Sequence, residues 1–241
     1  MVMAIENPAH EFTYWEGVSA TCWGRYLTDV QRRVVFSVCN TVGRPGTVLE
    51  IGADGGRWSG ALATEGWEVI CTDISAKALG LCQKRMPRAK CIIVRPTDKS
   101  LPCDPDAVNV VLCMEVDTVI SSEWFIEEAS RVLAPGGVLV ATLNNRSSLR
   151  AVFHKIFRPH EAITRKQRGY YQVTYRERRM RLSKSGFRMI HEEGCCWPPF
   201  ARDSNSPLVP FFVELEKYSG LRRLPILSPW VVFAAQKVQQ H

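Results

Sequence analysis

Residues 48–63, VLEIGADGGRWSGALA, constrain the fold more than any other stretch of this sequence. A mostly apolar run, interrupted by one acid, leads into a glycine-rich turn, and a helical pattern follows the turn. Strands that are apolar on both sides belong to parallel sheets covered by helices on both faces. The stretch therefore predicts the first strand and helix of an α/β domain, joined by a turn of the kind that binds ligands.

The residues that follow repeat this alternation of strand and helix. We predict strands at Thr47–Gly52, Trp67–Asp73, Cys91–Val94, Ala107–Cys113 and Val138–Leu143. We predict helices at Trp58–Glu65, Ala76–Met86, Trp124–Leu133 and Tyr175–Ser185, with a turn at residues 134–137. The fold class expected is α/β, with one domain spanning residues 1–241. Ligands of such sheets bind outside the carboxyl ends of the strands.

The glycine-rich turn does not match the two common phosphate-binding patterns. A dinucleotide fold requires GxGxxG, but Asp54 and Arg57 occupy the two glycine positions after Gly52. The pattern GxxxxGK[ST] fails as well, since no lysine follows the turn. Glu50 and Asp54 would repel a pyrophosphate. They suit a cationic ligand that carries hydroxyls and an ammonium group.

This turn resembles the first motif of the class I S-adenosylmethionine-dependent methyltransferases, which is an acid followed by GxGxG. Asp54 replaces the middle glycine, and Asp adopts left-handed backbone angles more readily than most residues. The resemblance covers roughly residues 45–145. It implies S-adenosyl-L-methionine as the cofactor, and as its binding residues in this turn Glu50, Gly52, Ala53, Asp54 and Gly56.

Two acidic positions match the next motifs of that family. Asp73 ends the second strand, where the resemblance implies a carboxylate that accepts hydrogen bonds from both ribose hydroxyls, and Ile74 follows it. Thr97 and Asp98 resemble the segment whose acid binds the adenine amino group. For Asp98, a solvated loop acid is the alternative interpretation.

The fourth and fifth strands also match the family in order and spacing. Residues 108–116 resemble its fourth-strand motif, with Asn109 in place of the usual aspartate. The resemblance implies that Cys113 and Met114 flank the ribose and methionine of the cofactor. Residues 131–137 resemble its last motif, a structural turn. Two further strands, Phe187–Glu192 and Trp230–Lys237, would complete an open, mostly parallel seven-stranded sheet with helices on both faces.

Two motifs that would identify the chemical class of the methyl acceptor are missing after the fourth strand. No [DN]PP[YFW] motif follows it, which disfavours transfer to exocyclic amines of nucleobases. No Pro-Cys pair occurs there, which disfavours methylation at carbon 5 of pyrimidines. We interpret Cys113 as a packed thiol rather than a nucleophile.

Residues 146–188 form a basic segment with interleaved tyrosines. Thirteen Lys and Arg stand against two Glu, a balance of +11, whereas the whole chain carries +7. Such a segment can bind nucleic acid or an acidic substrate, lie against anionic lipid, or be a solvated helix face. His154 and His160 lie in it, and we predict them as candidate general bases, with ordinary surface histidines as the alternative.

Segments flanking the predicted core are candidates for the acceptor pocket. We predict a helical lid within residues 1–44, with the aromatic stretch Phe12–Tyr26 folding over the cofactor. Residues 146–241 would form the substrate side, where Arg146–Tyr175 and the apolar insertion Trp197–Leu215 close over the sheet. In that pocket, Tyr170, Tyr171 and Trp197 would supply apolar walls.

The leading hypothesis is a methyltransferase acting on a small acidic or apolar metabolite, such as a quinone precursor, a lipid or a natural-product intermediate. One alternative is an RNA or protein methyltransferase that uses the basic segment, and another is a non-catalytic cofactor-binding module. Peripheral membrane contact is a further expectation, and no metal site is expected. Nine scattered cysteines without a CxxC pair, no secretory signal and no membrane-length apolar run favour a cytoplasmic protein.

Overall fold

A computed structural model describes residues 13–43, 45–157 and 171–238, and of His154 it describes the backbone alone. Within these residues one sheet contains β1 (Thr47–Ile51), β2 (Glu68–Asp73), β3 (Lys90–Ile93), β4 (Val108–Cys113), β5 (Leu133–Asn144), β6 (Phe187–Cys195) and β7 (Trp230–Lys237). The strand order is β3-β2-β1-β4-β5-β7-β6. The first five strands pair in parallel, and β7 is antiparallel to both β5 and β6. The predicted open, mostly parallel seven-stranded sheet is confirmed.

Helices flank this sheet along the described chain. They are α1 (Tyr14–Ser19), α2 (Cys22–Val42), α3 (Arg57–Thr64), α4 (Ala76–Arg85), α5 (Asp117–Ile120), α6 (Phe125–Val132), α7 (Leu149–Phe157), α8 (Tyr175–Lys184) and α9 (Val209–Tyr218). None of the helices in the described ranges combines the length and the apolarity that crossing a membrane requires.

Alternating side chains of the strands supply two cores, one on each face of the sheet. Val110 of β4 packs among residues of α2, α3 and α4. Its neighbour Val111 packs among residues of α6 and α8 on the opposite face. This alternation follows from the two-residue period of a strand, and it confirms that helices cover both faces.

The N-terminal region divides into two parts. In α2, Val30, Val34 and Val35 are fully buried, so most of this helix belongs to the core rather than to a lid. The shorter α1 is a separate element, closed by a capping box between Thr13 and Glu16. It lies beside the glycine-rich turn. Residues 1–12 of the predicted lid lie outside the described residues.

Residues 134–137, predicted as a turn before the fifth strand, lie within β5 instead. Leu133 already pairs with Val108, and the next pair is Val138 with Val110, so the four residues between bulge out from the ladder. A Cβ on Gly137 would lie 2.8 Å from the carbonyl oxygen of Ala134, so only glycine fits there. The glycines thus permit an irregular start of the strand. Because proline and glycine are typical of turns, the sequence predicted a turn here instead.

Candidate cofactor and acceptor site

A cavity of about 310 Å³ lies where β1, β2 and β4 end. Seven of the predicted cofactor residues line it, namely Glu50, Gly52, Ala53, Asp54, Asp73, Ile74 and Met114. It is also lined by residues that the sequence analysis did not assign to the cofactor: Trp15, Arg57, Trp58, Ser75, Ala78, Glu115 and Val116. The carboxyl ends of the parallel strands therefore meet at one site, as this fold class requires.

The turn after β1 approaches the cavity with its backbone. Gly52 has a φ of +68°, and its N–H and that of Ala53 donate to the carbonyl oxygen of Thr72 at 2.8 and 3.0 Å. A Cβ on Gly52 would lie 2.6 Å from the side chain of Val116. Asp54 has a φ of +50°, so the aspartate adopts the left-handed conformation expected of it. The turn forms a cradle that a larger residue at position 52 would fill.

Asp73 joins β2 to this turn. One of its carboxylate oxygens accepts the N–H of Asp54 at 3.0 Å, and the other accepts the N–H of Ser75 at 2.8 Å. A carboxylate has roughly four acceptor sites, so acceptor capacity remains on both oxygens. Asp73 lines the cavity and can still accept hydrogen bonds from two hydroxyls of a ligand.

Glu50 is held inside the protein by α3. Its side chain accepts hydrogen bonds from the backbone N–H of Ser59 at 2.8 Å and from the Ser59 hydroxyl. Burial raises the pKa of the Glu50 carboxyl to about 8. The residue therefore ties β1 to the start of α3, and its negative charge depends on pH in the neutral range.

Glu115 is the functional candidate that the sequence analysis missed. It follows Met114 in a left-handed conformation, with a φ of +62° and a side chain only 6% exposed. Its Oε1 accepts a hydrogen bond from Gln31 at 2.8 Å. Its buried Oε2 accepts no hydrogen bond from the described residues, although Arg202 lies 3.7 Å away. The sequence signal that could have identified Glu115 is its position just after the fourth strand.

Two guanidinium groups lie near this carboxylate, and one of them packs against two indole rings. The guanidinium of Arg202 lies 4.8 Å from the ring centroid of Trp15 and 4.6 Å from that of Trp230. Arg57 lies 3.7 Å from Glu115 Oε1. The insertion after β6 thus reaches the cavity wall through Arg202, and the N-terminal helix reaches it through Trp15.

Two short links position α1 over the turn. The Thr13 hydroxyl donates to the carboxylate of Asp54. Arg85 of α4 pairs with Glu16 of α1 and donates to the carbonyl oxygen of Gly55 at 3.0 Å. The acid that replaces the expected glycine in the turn therefore contacts the N-terminal helix.

Four of the predicted cofactor residues are not among those that line the cavity. Cys113 is fully buried in the core on the α6 and α8 face, and burial raises the pKa of its thiol. Gly56 faces Met86 and Cys82. Thr97 and Asp98 are exposed, and Asp98 accepts the N–H of Arg95 at 2.8 Å. Their assigned roles stay predictions.

The predicted catalytic histidines also stay predictions. His154 belongs to α7, but its side chain lies outside the described residues, as does all of His160. Tyr170 lies outside them too. In the described ranges, no group of three or more His, Cys, Asp or Glu is arranged to hold a metal ion.

Several arginines of the basic segment are engaged within the protein. Arg146 pairs with Glu177 at 2.9 Å, and Arg181 pairs with Glu127 at 2.9 Å. Arg178 is buried and donates to the carbonyl oxygen of Ser122 at 3.1 Å. In the described part of this segment, much of the positive charge therefore serves internal contacts.

Comparisons with known proteins agree with this arrangement. Residues 49–141 match a family model described as a methyltransferase domain. The ubiquinone biosynthesis O-methyltransferase of Sinorhizobium fredii is 27% identical over 166 residues, 66% of either chain. The demethylmenaquinone methyltransferase of Tropheryma whipplei is 35% identical over 96 residues, 39% of either chain. This chain spans 43% of a matched uncharacterized methyltransferase from Schizosaccharomyces pombe.

Solved structures share the fold at low sequence identity. A methyltransferase from Methanosarcina mazei superposes with a TM-score of 0.58 at 15% identity, covering 84% of this chain and 98% of the other. A phosphoethanolamine N-methyltransferase of Haemonchus contortus, bound to S-adenosylhomocysteine, gives 0.55 at 16% identity, covering 95% and 61%. The chain therefore contains a methyltransferase domain over residues 49–141, and its described residues have the fold of S-adenosylmethionine-dependent methyltransferases.

Proposed function

We propose that the protein methylates a small acidic or apolar metabolite at a hydroxyl group. The observation that carries this proposal is the buried Oε2 of Glu115 at the wall of the cofactor cavity, which accepts no hydrogen bond from the described residues and has Arg202 at 3.7 Å. A buried acceptor atom without a donor is costly, and a substrate hydroxyl would supply that donor. The acidic or apolar character of the substrate is supported by the guanidinium groups near this carboxylate and by the indole rings of Trp15 and Trp58, which line the cavity.

The residues of the turn would hold S-adenosylmethionine. The Gly52 cradle admits the cofactor next to the backbone, and Asp73 accepts its ribose hydroxyls. When bound, the cofactor supplies a methyl group on a positively charged sulfur. Placing an acceptor oxygen within attacking distance of that methyl group accounts for much of the rate that such an enzyme needs.

Glu115 is then the base in place of the predicted histidines. Its Oε2 would accept the hydroxyl proton of the acceptor as the methyl group passes to the acceptor oxygen, with the bond between the methyl carbon and sulfur breaking and its electron pair staying on sulfur. Arg57 and Arg202 lie 3.7 Å from the two carboxylate oxygens and stabilise negative charge at the site. Trp15 and Trp230, which both contact Arg202, would exclude water from the reacting groups.

A phenol or a related acidic hydroxyl is the substrate class that this geometry favours. A carboxylate removes a proton from a phenol more readily than from an aliphatic alcohol, whose hydroxyl is much less acidic. The names of the two curated relatives, a ubiquinone biosynthesis O-methyltransferase and a demethylmenaquinone methyltransferase, support an acceptor related to quinones. The internally paired arginines of the basic segment give less support to an RNA substrate.

The test uses tritiated S-adenosylmethionine with three sets of acceptors: alkylated phenols and catechols, total RNA, and cell protein. We expect label in the phenols, and Glu115→Gln should lower turnover by roughly 100-fold or more, the range for loss of a general base. Cofactor affinity, measured by calorimetry, should stay within about twofold. Glu214→Gln, an exposed acid on α9, is the matched control.

Three outcomes would contradict the proposal. Label in RNA or protein but not in phenols would assign the basic segment to a macromolecular substrate. Cofactor binding without transfer to any acceptor would indicate a non-catalytic binding module. Full turnover of Glu115→Gln would leave the histidines as the remaining candidates for the base.

A further inference from the structure

The short helix α7 presents its apolar side to solvent. Its large apolar residues recur at spacings of three and four, at Leu149, Val152, Phe153, Ile156 and Phe157, and each is between 44% and 67% exposed. Ala151, on the other side, is buried. An amphipathic helix of a globular protein normally turns such a stripe toward the core. Here the stripe points outward.

A second apolar stripe lies on α9. Leu208, Phe211, Leu215 and Tyr218 share one side of this helix and are between 50% and 79% exposed. The loop that leads to β7 adds Leu224, Ile226 and Leu227, which are 44% to 46% exposed. Scattered exposed apolar residues are ordinary, but whole stripes mark interaction surfaces.

Hydrogen bonds and ring contacts join these three elements. The side chain of Asn145, ahead of α7, donates to the carbonyl oxygen of Ile226 at 2.8 Å, and Ser147 donates to the same oxygen at 3.2 Å. Arg150 of α7 donates to the carbonyl oxygen of Phe200 at 3.1 Å. The ring of Phe200 lies 5.6 Å from that of Phe212 in α9. The three elements are therefore neighbours, and we call their exposed apolar residues together the apolar face.

Basic residues accompany the apolar face. Lys155 of α7 and Arg223, between α9 and the loop, are exposed. Arg146, Arg150 and Arg222 lie nearby but are bound to Glu177, to the carbonyl oxygen of Phe200 and to Glu216, so Lys155 and Arg223 carry the positive charge that the face offers. Apolar residues flanked by Lys and Arg form the composition that binds the surface of an anionic bilayer, where the side chains enter the headgroup region and the cations pair with phosphates.

We infer that the apolar face docks the protein on the surface of an anionic lipid bilayer. The positive charge of the face favours an anionic bilayer over a second molecule of this protein, because in a dimer the cations of the two molecules would face each other. The inference concerns binding to the bilayer and does not require the proposed acceptor to be correct.

The experiment is co-sedimentation of the full chain with vesicles. Vesicles of phosphatidylcholine and phosphatidylglycerol in equal parts should bind the protein at least about tenfold more tightly than pure phosphatidylcholine vesicles. Ile156→Glu should weaken this binding by about tenfold or more, since it places a charge in the stripe. Ile93→Glu is the matched control, since Ile93 is 59% exposed against 63% for Ile156 and lies at the β3 edge of the sheet.

A second pair of variants tests the electrostatic part. Lys155→Gln with Arg223→Gln should weaken binding to the mixed vesicles and leave binding to phosphatidylcholine unchanged. The inference is overturned if the protein binds neither vesicle, or if Ile156→Glu and Ile93→Glu bind equally. It is also overturned if light scattering shows a dimer that Ile156→Glu dissociates, since the face would then join two copies of the chain.

Discussion

The hydroxyl of Thr13 donates a hydrogen bond to the carboxylate of Asp54, and this contact joins the cap of α1 to the turn that approaches the cofactor cavity. Asp54 stands where the methyltransferase motif has a glycine. The structure gives the substitution a physical reason, because the aspartate adopts the left-handed backbone and its side chain holds the N-terminal helix. The cofactor turn and its cover are therefore coupled.

This coupling predicts the behaviour of Asp54→Gly. The turn should still form, because glycine adopts the same backbone angles freely. Loss of the contact with Thr13 should weaken cofactor binding by about 1 kcal/mol and speed amide exchange in α1. Thr13→Val should cost more, because it also removes the N-cap of α1, and adding Asp54→Gly to it should cost little further. Additive losses would show that the two residues act separately, and Thr41→Val on α2 is the control.

The glycine cradle makes a stricter prediction. Gly52→Ala should reduce S-adenosylmethionine affinity below detection in a calorimetric titration, because its Cβ would lie 2.6 Å from Val116 at a φ of +68°. Gly80→Ala on α4 is the matched control, since nothing lies within 4 Å of the added Cβ and alanine favours a helix. Normal cofactor binding by Gly52→Ala would place the cofactor away from this turn.

Asp73 is predicted to bind the ribose. Asp73→Ala should weaken the affinity for S-adenosylmethionine and S-adenosylhomocysteine alike by about 1–3 kcal/mol, the range for hydrogen bonds to a charged group. NAD should not bind the wild-type chain. The exposed Asp104→Ala is the control. An unchanged dissociation constant for Asp73→Ala would mean that Asp73 has only a structural role in the turn. Asp98→Ala, measured alongside, tests the predicted adenine contact.

Glu50 predicts a pH dependence of stability. Its pKa is about 8 in the folded chain and near 4.5 when unfolded, so folding favours the protonated acid. Below pH 4.5 the carboxyl is protonated in both states, so it does not lower the free energy of unfolding. As the pH rises from there through 8, the free energy of unfolding falls by an amount on the order of 5 kcal/mol. Glu50→Gln, which can accept both Ser59 hydrogen bonds, should match the wild type in acid and exceed it at alkaline pH.

Urea unfolding at several pH values would measure this difference. The gap in the free energy of unfolding between Glu50→Gln and the wild type should open between pH 4.5 and pH 8. A constant gap across that range would mean that Glu50 ionises normally in the folded chain. Glu214→Gln, on the surface of α9, should give a gap near zero throughout.

Strands β4, β5 and β7 could be predicted from the sequence because each contains an uninterrupted apolar run. The bounds predicted for β7, Trp230–Lys237, are those observed. The positions of Asp73 and Met114 at the cavity followed from the same rule, since the ends of parallel strands meet at one edge. Local pattern and fold class were sufficient for this part of the site.

The acceptor side could not be predicted in this way, because it depends on contacts between distant parts of the chain. Glu115 receives its hydrogen bond from Gln31, 84 positions earlier, and faces Arg202, which lies beyond β6. No local pattern links these three residues. The bulge at residues 134–137 depends likewise on the close approach of Asn109 to Gly137, which a search for turns does not detect.

The contacts of Arg202 with Trp15 and Trp230 join distant parts of the described chain. The guanidinium lies over an indole of the first helix and over an indole of the last strand, and it also faces Glu115. Residues near the two ends of the described chain must therefore come together before the surroundings of Glu115 are complete, which makes this part of the site depend on contacts of high sequence separation.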